Sequence, residues 1–364
     1  MDTARAFRPE TILLWRKVER HAEARRIIEM FPQARVRVVE RQRPVAIPGR
    51  SPDRAVVAGK RVLMIGETTS FVKQFDGRLG KGVLCSPYAK LVPISNGCPY
   101  YCTYCYLAQV YRDYLPLIKM NINHDRMFRE IRKTTAGAGG AVAFNMGEML
   151  DSLALDHISL LTQRLVPFFA GLSRGYLMLL TKSANVDGLL RVEPNRRVVV
   201  SWSLNSRRMI ERYEVGTADL DERIEAARRC QERGYRIRLR IDPGILSQDW
   251  RCDYAELIQE ALSVLEPENI TLGMLRLLPG HFRLAACVYG WRGAELRNAG
   301  LVCRASDGKL RYCPTQRVEF YTFLIDAIRD FNKHVSISLC RETPEVWSRL
   351  ATGCQRGKCN CLIW

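Results

Sequence analysis

Strands and helices alternate through residues 89–277, and this alternation constrains the fold more than any other feature of the sequence. Short segments of strand character are separated by stretches whose apolar residues recur at helical spacing. Repeated strand–helix units predict a parallel sheet, and a closed eight-unit barrel needs about 250 residues. This shorter segment therefore predicts an α/β fold with a partial, TIM-like (βα)6 barrel. The predicted strands are 89–95, 140–147, 175–182, 196–205, 235–242 and 269–277, and the predicted helices are 124–133, 156–171, 184–191, 219–233 and 252–266.

The regions on either side have different patterns, which divides the chain into three parts. Residues 1–88 form an N-terminal cap region, 89–282 the partial barrel, and 283–364 a C-terminal substrate-binding extension with a cysteine-rich tail. In the cap, apolar residues at helical spacing predict a helix over 11–31. Further predicted elements are strands at 34–40, 61–67 and 335–342, helices at 323–333 and 342–350, and a loop at 43–54.

The charge balance is strongly basic, with 56 Lys and Arg against 38 Asp and Glu and a net charge of +18. This excess favours a polyanionic partner such as nucleic acid, which binds through phosphate neutralisation. The alternative is a solvated, arginine-rich surface. No apolar run reaches the roughly 18 residues of a membrane span, and no signal peptide is recognisable. With 13 cysteines in such a chain, we expect a reducing, cytoplasmic location.

Three cysteines in the segment SNGCPYYCTYCYLAQ, Cys98, Cys102 and Cys105, form a CxxxCxxC motif. Thiolates are soft ligands that suit iron–sulfur clusters. A four-iron cubane takes four ligands, so three cysteines leave one iron for a non-protein group. Zinc sites usually have paired CxxC units and four ligands, and His124 is the only histidine nearby. The motif therefore predicts a 4Fe–4S cluster as the metal site.

This spacing resembles that of the radical S-adenosylmethionine (SAM) superfamily, and Tyr104, the aromatic residue before the third cysteine, agrees with it. The resemblance implies that the amino and carboxylate groups of SAM chelate the open iron. It also implies that the partial barrel is of the radical SAM type.

Further segments occur in the order typical of one branch of that superfamily, and the chain resembles the spore photoproduct lyase family. The resemblance implies a DNA-repair lyase that reverses a thymine–thymine photoadduct. A 5′-deoxyadenosyl radical from SAM abstracts a hydrogen atom from the methylene bridge of the adduct, which fragments and regains a hydrogen atom. The implied partners are damaged DNA and an electron donor such as flavodoxin or ferredoxin. The matching segments are IPGRS (47–51), VLMIG (62–66), CTYCYL (102–107), LDH (155–157), TKSANVD (181–187), SWSLN (201–205) and DERIEAARRCQERGY (221–235).

The resemblance also implies roles for individual polar residues. Tyr104 and Tyr106 match tyrosines of the hydrogen-return path, and Tyr104 is expected near the adenine of SAM. The alternative for both is packing around the cluster. Lys182 and Ser203 match residues that contact SAM, and an ammonium group at a strand end can pair with the SAM carboxylate. Their alternatives are a solvated loop lysine and a surface serine.

Two other positions concern the substrate. Arg311 and Tyr312, in KLRYC, resemble a pair that reaches the DNA lesion, with a plain basic surface as the alternative. The hydrogen-donating cysteine of the family falls on Glu148, and a carboxylic acid does not donate a hydrogen atom readily. Glu148 is instead expected to hold the SAM amino group, or to be a helix-start carboxylate favoured by the helix dipole. Cys313 and Cys85 are the candidate replacement donors.

Apolar and charged residues alternate along the predicted strand 235–242. In a barrel the apolar side faces the helices, so the charged side is expected to face the lumen, where a cofactor can be held. The alternative is the solvent face of an edge strand. The charged residues are Arg236, Arg238, Arg240 and Asp242.

The tail contains further thiols, and Cys340, Cys354, Cys359 and Cys361 are enough ligands for an auxiliary iron–sulfur cluster or zinc. A mobile cysteine-rich tail is the alternative.

Two alternatives to the lyase function also stand. One is a radical SAM enzyme of the same family with another nucleic-acid or small-molecule substrate, which Glu148 favours. The other is a non-catalytic iron–sulfur protein that binds nucleic acid.

Overall fold

The computed structural model describes residues 7–42, 51–79, 82–83, 85–304, 307–350 and 353–363. Most of the IPGRS segment, residues 47–50, lies outside this part of the chain. The strands are β1 (Thr11–Trp15), β2 (Arg35–Val39), β3 (Val62–Gly66), β4 (Val72–Phe75), β5 (Tyr88–Leu91), β6 (Ile94–Ser95), β7 (Tyr101–Cys102), β8 (Ile118–Asn121), β9 (Val142–Asn145), β10 (Gly175–Thr181), β11 (Val198–Leu204), β12 (Glu214–Val215), β13 (Arg236–Gly244), β14 (Asn269–Met274), β15 (Cys303–Arg304), β16 (Leu310–Arg311) and β17 (Ser336–Leu339). The helices are α1 (Ala22–Glu29), α2 (Pro52–Gly59), α3 (Leu107–Tyr111), α4 (His124–Ala136), α5 (Asp156–Ser159), α6 (Leu161–Ala170), α7 (Asp187–Leu190), α8 (Arg207–Tyr213), α9 (Leu220–Arg233), α10 (Trp250–Leu262), α11 (His281–Tyr289), α12 (Trp291–Glu295), α13 (Pro314–Phe331) and α14 (Pro344–Arg349).

The main sheet has eight strands in the order β17-β14-β13-β11-β10-β9-β5-β4. Every neighbouring pair is parallel except β4 with β5, which is antiparallel. The six strands predicted between residues 89 and 277 occupy consecutive places in the sheet in chain order, which confirms the α/β prediction. Within the described residues β17 and β4 do not pair with each other, so the sheet is open.

The central strands are buried on both faces because helices cover one side and the chain's own loops and tail cover the other. All seven residues of β11 and all six of β14 are buried, as is typical of parallel sheets. Helix α9, which contacts β11 and β13, begins with a capping box between Asp219 and Glu222 and ends at Gly234 with φ of 103°. Only glycine adopts that conformation without strain.

The helix predicted over 11–31 is wrong in its first half. Thr11–Trp15 forms β1, a 3-10 turn follows, and the helix α1 covers only Ala22–Glu29. The reason is tertiary pairing: β1 lies between β2 and β3 and pairs in parallel with both. Three consecutive buried residues, Ile12, Leu13 and Leu14, fit a strand covered on both faces, and this pairing overrides the helical spacing.

A second sheet has the order β2-β1-β3-β8-β6, and its strand β8 was not predicted. The predicted strand 89–95 divides at Val92 and Pro93, so that β5 joins the main sheet and β6 joins the second sheet. Proline cannot donate a ladder hydrogen bond, and the Pro93 carbonyl instead accepts from the backbone and side chain of Asn121. The cysteine motif follows directly, where the two sheets meet.

The C-terminal residues cover the inner face of the main sheet, which we define as the face that carries the side chains of Ser201 and Arg238. The Asn360 side chain donates to the Leu239 carbonyl at 3.0 Å and accepts from Thr271 at 2.8 Å. Arg238 donates to the Leu362 carbonyl at 2.6 Å. The alternative of a mobile tail is therefore wrong for these residues. No helix in the described part of the chain has the length and apolar character to cross a bilayer.

Candidate active site

A cavity of about 500 Å³ lies at the carboxyl ends of the main-sheet strands. Parallel strands deliver the residues that follow them to the same edge of a sheet, so side chains far apart in sequence meet there. Most of the residues predicted for the site line this one cavity. They are Cys98, Cys102, Cys105, Tyr104, Tyr106, Glu148, Lys182 and Ser203.

The loop with the three thiols is held by backbone hydrogen bonds within the loop and to residues 213–215 at the end of α8 and in β12. Strand β7, which contains Cys102, pairs antiparallel with β12. The Thr103 N–H donates to the Tyr213 carbonyl at 2.9 Å, and the Cys105 N–H donates to the Cys102 carbonyl at 3.1 Å. These contacts turn the three thiols toward the same cavity wall, where they pack with Tyr100 and Tyr104.

Two basic residues that the sequence analysis did not single out also support this loop. The buried Lys60 ammonium donates to the Tyr100 carbonyl and lies 5.0 Å from the centre of the Tyr101 ring. His281 Nε2 lies 2.8 Å from the Thr103 carbonyl oxygen. Burial raises the pKa of Cys98 to about 12, although the Lys60 charge opposes the rise. Lys60 therefore favours the thiolate form that a metal ligand needs.

The donor set fits an iron–sulfur cluster better than a single metal ion. Among the described residues, no group of three or more His, Cys, Asp or Glu side chains is arranged to hold one ion. A four-iron cluster takes each thiolate on a different iron atom, so its ligands stand further apart than those of a single ion. Three soft thiols facing one cavity suit that arrangement.

Gly97 lets the chain pass closely between two neighbours before the first cysteine. A Cβ atom there would lie 2.8 Å from Ile94 Cβ and 2.9 Å from Leu150 Cβ, which are too close for real contacts. We expect Gly97→Ala to displace the loop, to destabilise the fold by about 1–3 kcal/mol and to lower the iron content of the reconstituted protein. Iron and sulfide analysis measures this. The control is Gly139→Ala, where nothing lies within 4 Å, and equal iron content in the two variants would contradict the prediction.

Behind the loop, Tyr104 and Lys182 form a network with Glu214. The Tyr104 hydroxyl donates to Glu214 Oε1, and Lys182 Nζ lies 2.6 Å from the same oxygen and 2.9 Å from the Tyr104 hydroxyl. Arg223 Nη2 donates to Glu214 Oε2 at 2.6 Å. The side chains of Glu214 and Arg223 are completely buried. The network fixes both sequence-predicted residues at the edge of the cavity.

Glu214 was missed by the sequence analysis. Burial would raise the pKa of its carboxyl, but Lys182 and Arg223 outweigh burial and lower the pKa to about 2. Glu214 is therefore a carboxylate, which two basic groups and a phenol stabilise. Nothing in its local sequence separates it from the other acidic residues, because its partners come from distant segments.

Ser203 and the charged residues of β13 form another part of the wall. Ser203 is buried, and its hydroxyl donates to the Asp242 carbonyl at 3.3 Å. Arg240 and Arg276 both pair with the Asp242 carboxylate, at 2.6 and 2.9 Å. Arg240 and Asp242 line the cavity, and β13 lies inside the sheet. The edge-strand alternative for the charged stripe is therefore wrong.

Tyr106 and Glu148 meet on a further wall of the cavity. The Tyr106 hydroxyl donates to the Glu148 backbone carbonyl at 2.9 Å. The Glu148 carboxylate accepts from Tyr88 at 2.5 Å, lies 3.2 Å from Lys90 Nζ, and forms an ion pair with Arg341. Burial alone would raise the pKa of Glu148, yet these partners lower it below its ordinary value. Glu148 is thus a carboxylate whose two oxygens both have protein partners.

Arg311 and Tyr312 do not line this cavity. Both side chains are 1% exposed. Arg311 pairs with Asp307 at 2.6 Å, and the Tyr312 hydroxyl accepts from the Leu246 N–H at 3.1 Å. The hairpin β15–β16 and the bridge from Leu310 to Leu277 turn them into the interior. The contact with a DNA lesion that the resemblance implies for these side chains is not supported by this arrangement.

The thiols of the C-terminal region divide between two places. Cys340, Cys359 and Cys361 line the cavity together with Cys85, whereas Cys354 packs against the main core. A hydrogen bond from Cys359 lowers the pKa of Cys361 to about 6. Cys354 is therefore apart from the other three tail thiols, so the four proposed as ligands of an auxiliary centre are not gathered at one site.

Three thiols at one wall of a cavity are the arrangement that the resemblance to radical SAM enzymes implies, and comparisons with known proteins identify the family within that class. A family model described as Spore photoproduct lyase matches residues 7–282. The chain belongs to the spore photoproduct lyase family.

Individual relatives agree with this assignment. The chain is 27% identical over 244 residues to a spore photoproduct lyase of Clostridium acetobutylicum, covering 65% of this chain and 68% of that one. It is 30% identical over 181 residues to a spore photoproduct lyase of a Geobacillus species, covering 50% and 53% of the two chains. A solved spore photoproduct lyase, a cysteine-to-alanine variant with dinucleoside spore photoproduct, is 22% identical with a TM-score of 0.80, covering 92% of this chain and 100% of that one. A second, with bound AdoMet and the same compound, has a TM-score of 0.79 at 22% identity and covers 91% and 98%.

Proposed function

We propose that the protein is a radical SAM DNA-repair lyase that reverses a thymine–thymine photoadduct. The observation that carries this proposal is the meeting of the three thiols, Tyr104, Lys182 and Ser203 at one cavity. The solved relatives with dinucleoside spore photoproduct and AdoMet support the same substrate and cofactor. The net charge of +18 agrees with a DNA partner.

Cys98, Cys102 and Cys105 would hold a 4Fe–4S cluster, and SAM bound beside it would supply a 5′-deoxyadenosyl radical after reduction by a donor such as flavodoxin or ferredoxin. Lys182 uses two of its three N–H groups on Tyr104 and Glu214. The third can pair with the SAM carboxylate. The Ser203 hydroxyl, on the same wall, offers a further polar contact.

The two tyrosines suit a hydrogen-relay role because each keeps its phenolic hydrogen. Burial raises the pKa of Tyr104, and desolvation of the hydroxyl at the cavity wall raises the pKa of Tyr106 although 36% of that residue is exposed. Tyr104 donates to Glu214, and Tyr106 donates to the Glu148 carbonyl, so both hydroxyls are oriented by fixed acceptors. Neutral, oriented phenols at the cavity wall can pass a hydrogen atom without releasing a proton to water.

We assign the main sheet to a partial barrel of the radical SAM type and keep the division of the chain at residues 1–88, 89–282 and 283–364. The parallel, chain-ordered strands of the main sheet support the first assignment. A cytoplasmic location agrees with the free thiols.

The test is repair of dinucleoside spore photoproduct by the anaerobically reconstituted protein with SAM and a one-electron reductant. We expect two products in parallel, restored thymidine and 5′-deoxyadenosine, and neither when SAM or reductant is omitted. Chromatography with mass detection measures both. If SAM is cleaved and no thymidine forms, the substrate assignment is wrong. That result would favour a different substrate for the same radical chemistry, which the carboxylate at Glu148 already favours as the second candidate.

A further inference from the structure

Reversal of a methylene-bridged adduct requires a hydrogen donor that the residues discussed so far do not supply. The bridge loses one hydrogen atom and then breaks, and the restored methyl group must gain one hydrogen atom. Glu148, at the expected donor position, is an anion with partners on both carboxylate oxygens. A carboxylate carries no hydrogen atom to give, so the donor must be elsewhere in the cavity.

Thiols are the best hydrogen-atom donors among the side chains, because the S–H bond is weak and the sulfur is polarizable. Four thiols outside the cluster motif line the cavity: Cys85, Cys340, Cys359 and Cys361. Cys313, a candidate from the sequence, precedes α13 and is not among the cavity residues.

We propose that Cys340 is the hydrogen-atom donor of this enzyme, an inference that rests on the proposed function. Cys340 follows β17 at the carboxyl edge of the main sheet, and its N–H donates to the Leu272 carbonyl at 2.7 Å. The next residue, Arg341, forms an ion pair with Glu148. Cys340 therefore lies at the end of a hydrogen-bonded strand. It is adjacent in sequence to Arg341, which contacts Glu148, the residue at the position of the family's donor cysteine.

The surroundings of Cys340 hold its sulfur and leave its hydrogen available. Arg240 Nη2 donates to the sulfur at 2.9 Å, and Arg276 Nη2 lies 3.7 Å away. A guanidinium has no acceptor, so both contacts use sulfur lone pairs. Within the described residues, no hydrogen bond from the Cys340 S–H to an acceptor is found. Burial raises the pKa of Cys340 although the arginines oppose the rise, which keeps the thiol protonated.

The other thiols of this wall are less suitable. Cys361 has a pKa lowered to about 6 by its hydrogen bond from Cys359, so it holds its proton less firmly than an ordinary thiol and the Cys359 hydrogen is engaged. Cys85 keeps its proton, because burial raises its pKa to about 11. It lies in a loop before β5, without the strand support of Cys340, and is the rival donor that the same assay tests.

The proposed step balances in atoms and electrons. The Cys340 S–H bond breaks homolytically and a C–H bond forms at the substrate carbon radical, which leaves a thiyl radical. A phenolic O–H at the cavity, that of Tyr106, then passes a hydrogen atom to the sulfur. The tyrosyl radical is then reduced back to the phenol. The electron comes from the one-electron reductant that the proposed reaction already uses, and the proton comes from water.

The test compares Cys340→Ser with the parental enzyme under the repair assay described above. Serine keeps the shape and hydrogen-bonding capacity of cysteine, and its stronger O–H bond does not donate a hydrogen atom. We expect restored thymidine to fall by at least about tenfold while 5′-deoxyadenosine formation stays within about twofold of the parental level. The ratio of 5′-deoxyadenosine to thymidine therefore rises. A residue with a merely structural role would lower both products together. The control is Cys252→Ser, at an exposed thiol outside the cavity, and it is expected to keep the parental ratio.

The outcomes separate this inference from the proposed function. Repair by Cys340→Ser at the parental rate, or a change of the product ratio in Cys85→Ser instead, overturns the assignment of Cys340 alone. A parallel loss of both products in Cys340→Ser, with its iron content unchanged, also overturns it. Failure of the parental enzyme to restore thymidine overturns the proposed function, and the inference with it.

Discussion

Cys98→Ala, Cys102→Ala and Cys105→Ala should each yield a protein that holds no complete 4Fe–4S cluster and forms no 5′-deoxyadenosine from SAM. The reason is the donor set: the loop places only these three thiols together on its wall of the cavity, and each would bind a different iron. Iron and sulfide analysis, absorbance of the reconstituted protein and the 5′-deoxyadenosine assay measure the loss.

The control for this experiment uses the two exposed cysteines. Cys252→Ala and Cys287→Ala remove thiols that lie outside the cavity. We expect both variants to keep the parental iron content and SAM cleavage. A full cluster in any one of the three loop variants would show that another thiol, such as Cys359 or Cys361, replaces the lost ligand and that the ligand assignment is wrong.

Glu214→Gln should destabilise the fold and disturb the site at the same time. The substitution removes the charge that compensates the buried Arg223 and the partly buried Lys182. Loss of one partner from a buried ion pair costs about 3–5 kcal/mol, because the other charge stays buried without compensation. Denaturant unfolding of the cluster-free protein measures the change. The control is Glu225→Gln, which removes an exposed partner of Arg228 and should cost less than about 1 kcal/mol.

The effect of Glu214 on stability should depend on pH in a defined direction. Its folded-state pKa of about 2 is below the ordinary value of 4.5, so the carboxylate stabilises the fold above pH 4.5 and loses this effect as the pH falls toward 2. The difference in unfolding free energy between parental protein and Glu214→Gln should therefore shrink over that interval, by on the order of 3 kcal/mol. A difference that stays constant with pH would show that Glu214 does not carry its charge in the folded state.

The sequence was sufficient for the features that depend on local patterns. The six alternating strands have strong apolar character, and the structure places them side by side in chain order. The cysteine spacing located the thiol loop, and the resemblance located Tyr104, Lys182 and Ser203, which the structure brings to one cavity. These residues sit at strand ends or in the loop itself, so the topology of a parallel sheet is enough to bring them together.

Features that depend on distant pairing were not predictable in this way. Glu214 reaches Tyr104 because β12 pairs with β7, two strands that are only two residues long and carry no recognisable pattern. The strand β1 was predicted as a helix, because its spacing is ambiguous until β2 and β3 are placed beside it. The burial of Arg311 follows from its pairing with Asp307 and from the hairpin, neither of which the basic composition of KLRYC reveals.

The packing of the C-terminal residues against the main sheet has a consequence for biosynthesis. Asn360 and Leu362 close the inner face by bonding to β13 and β14, whereas the thiol loop leaves the ribosome long before those residues are made. A nascent chain therefore exposes the three thiols proposed as iron ligands while one wall of the cavity is still missing. We expect iron loading to follow translation, and a ribosome-stalled chain ending at Arg349 that takes up a stable cluster would show otherwise.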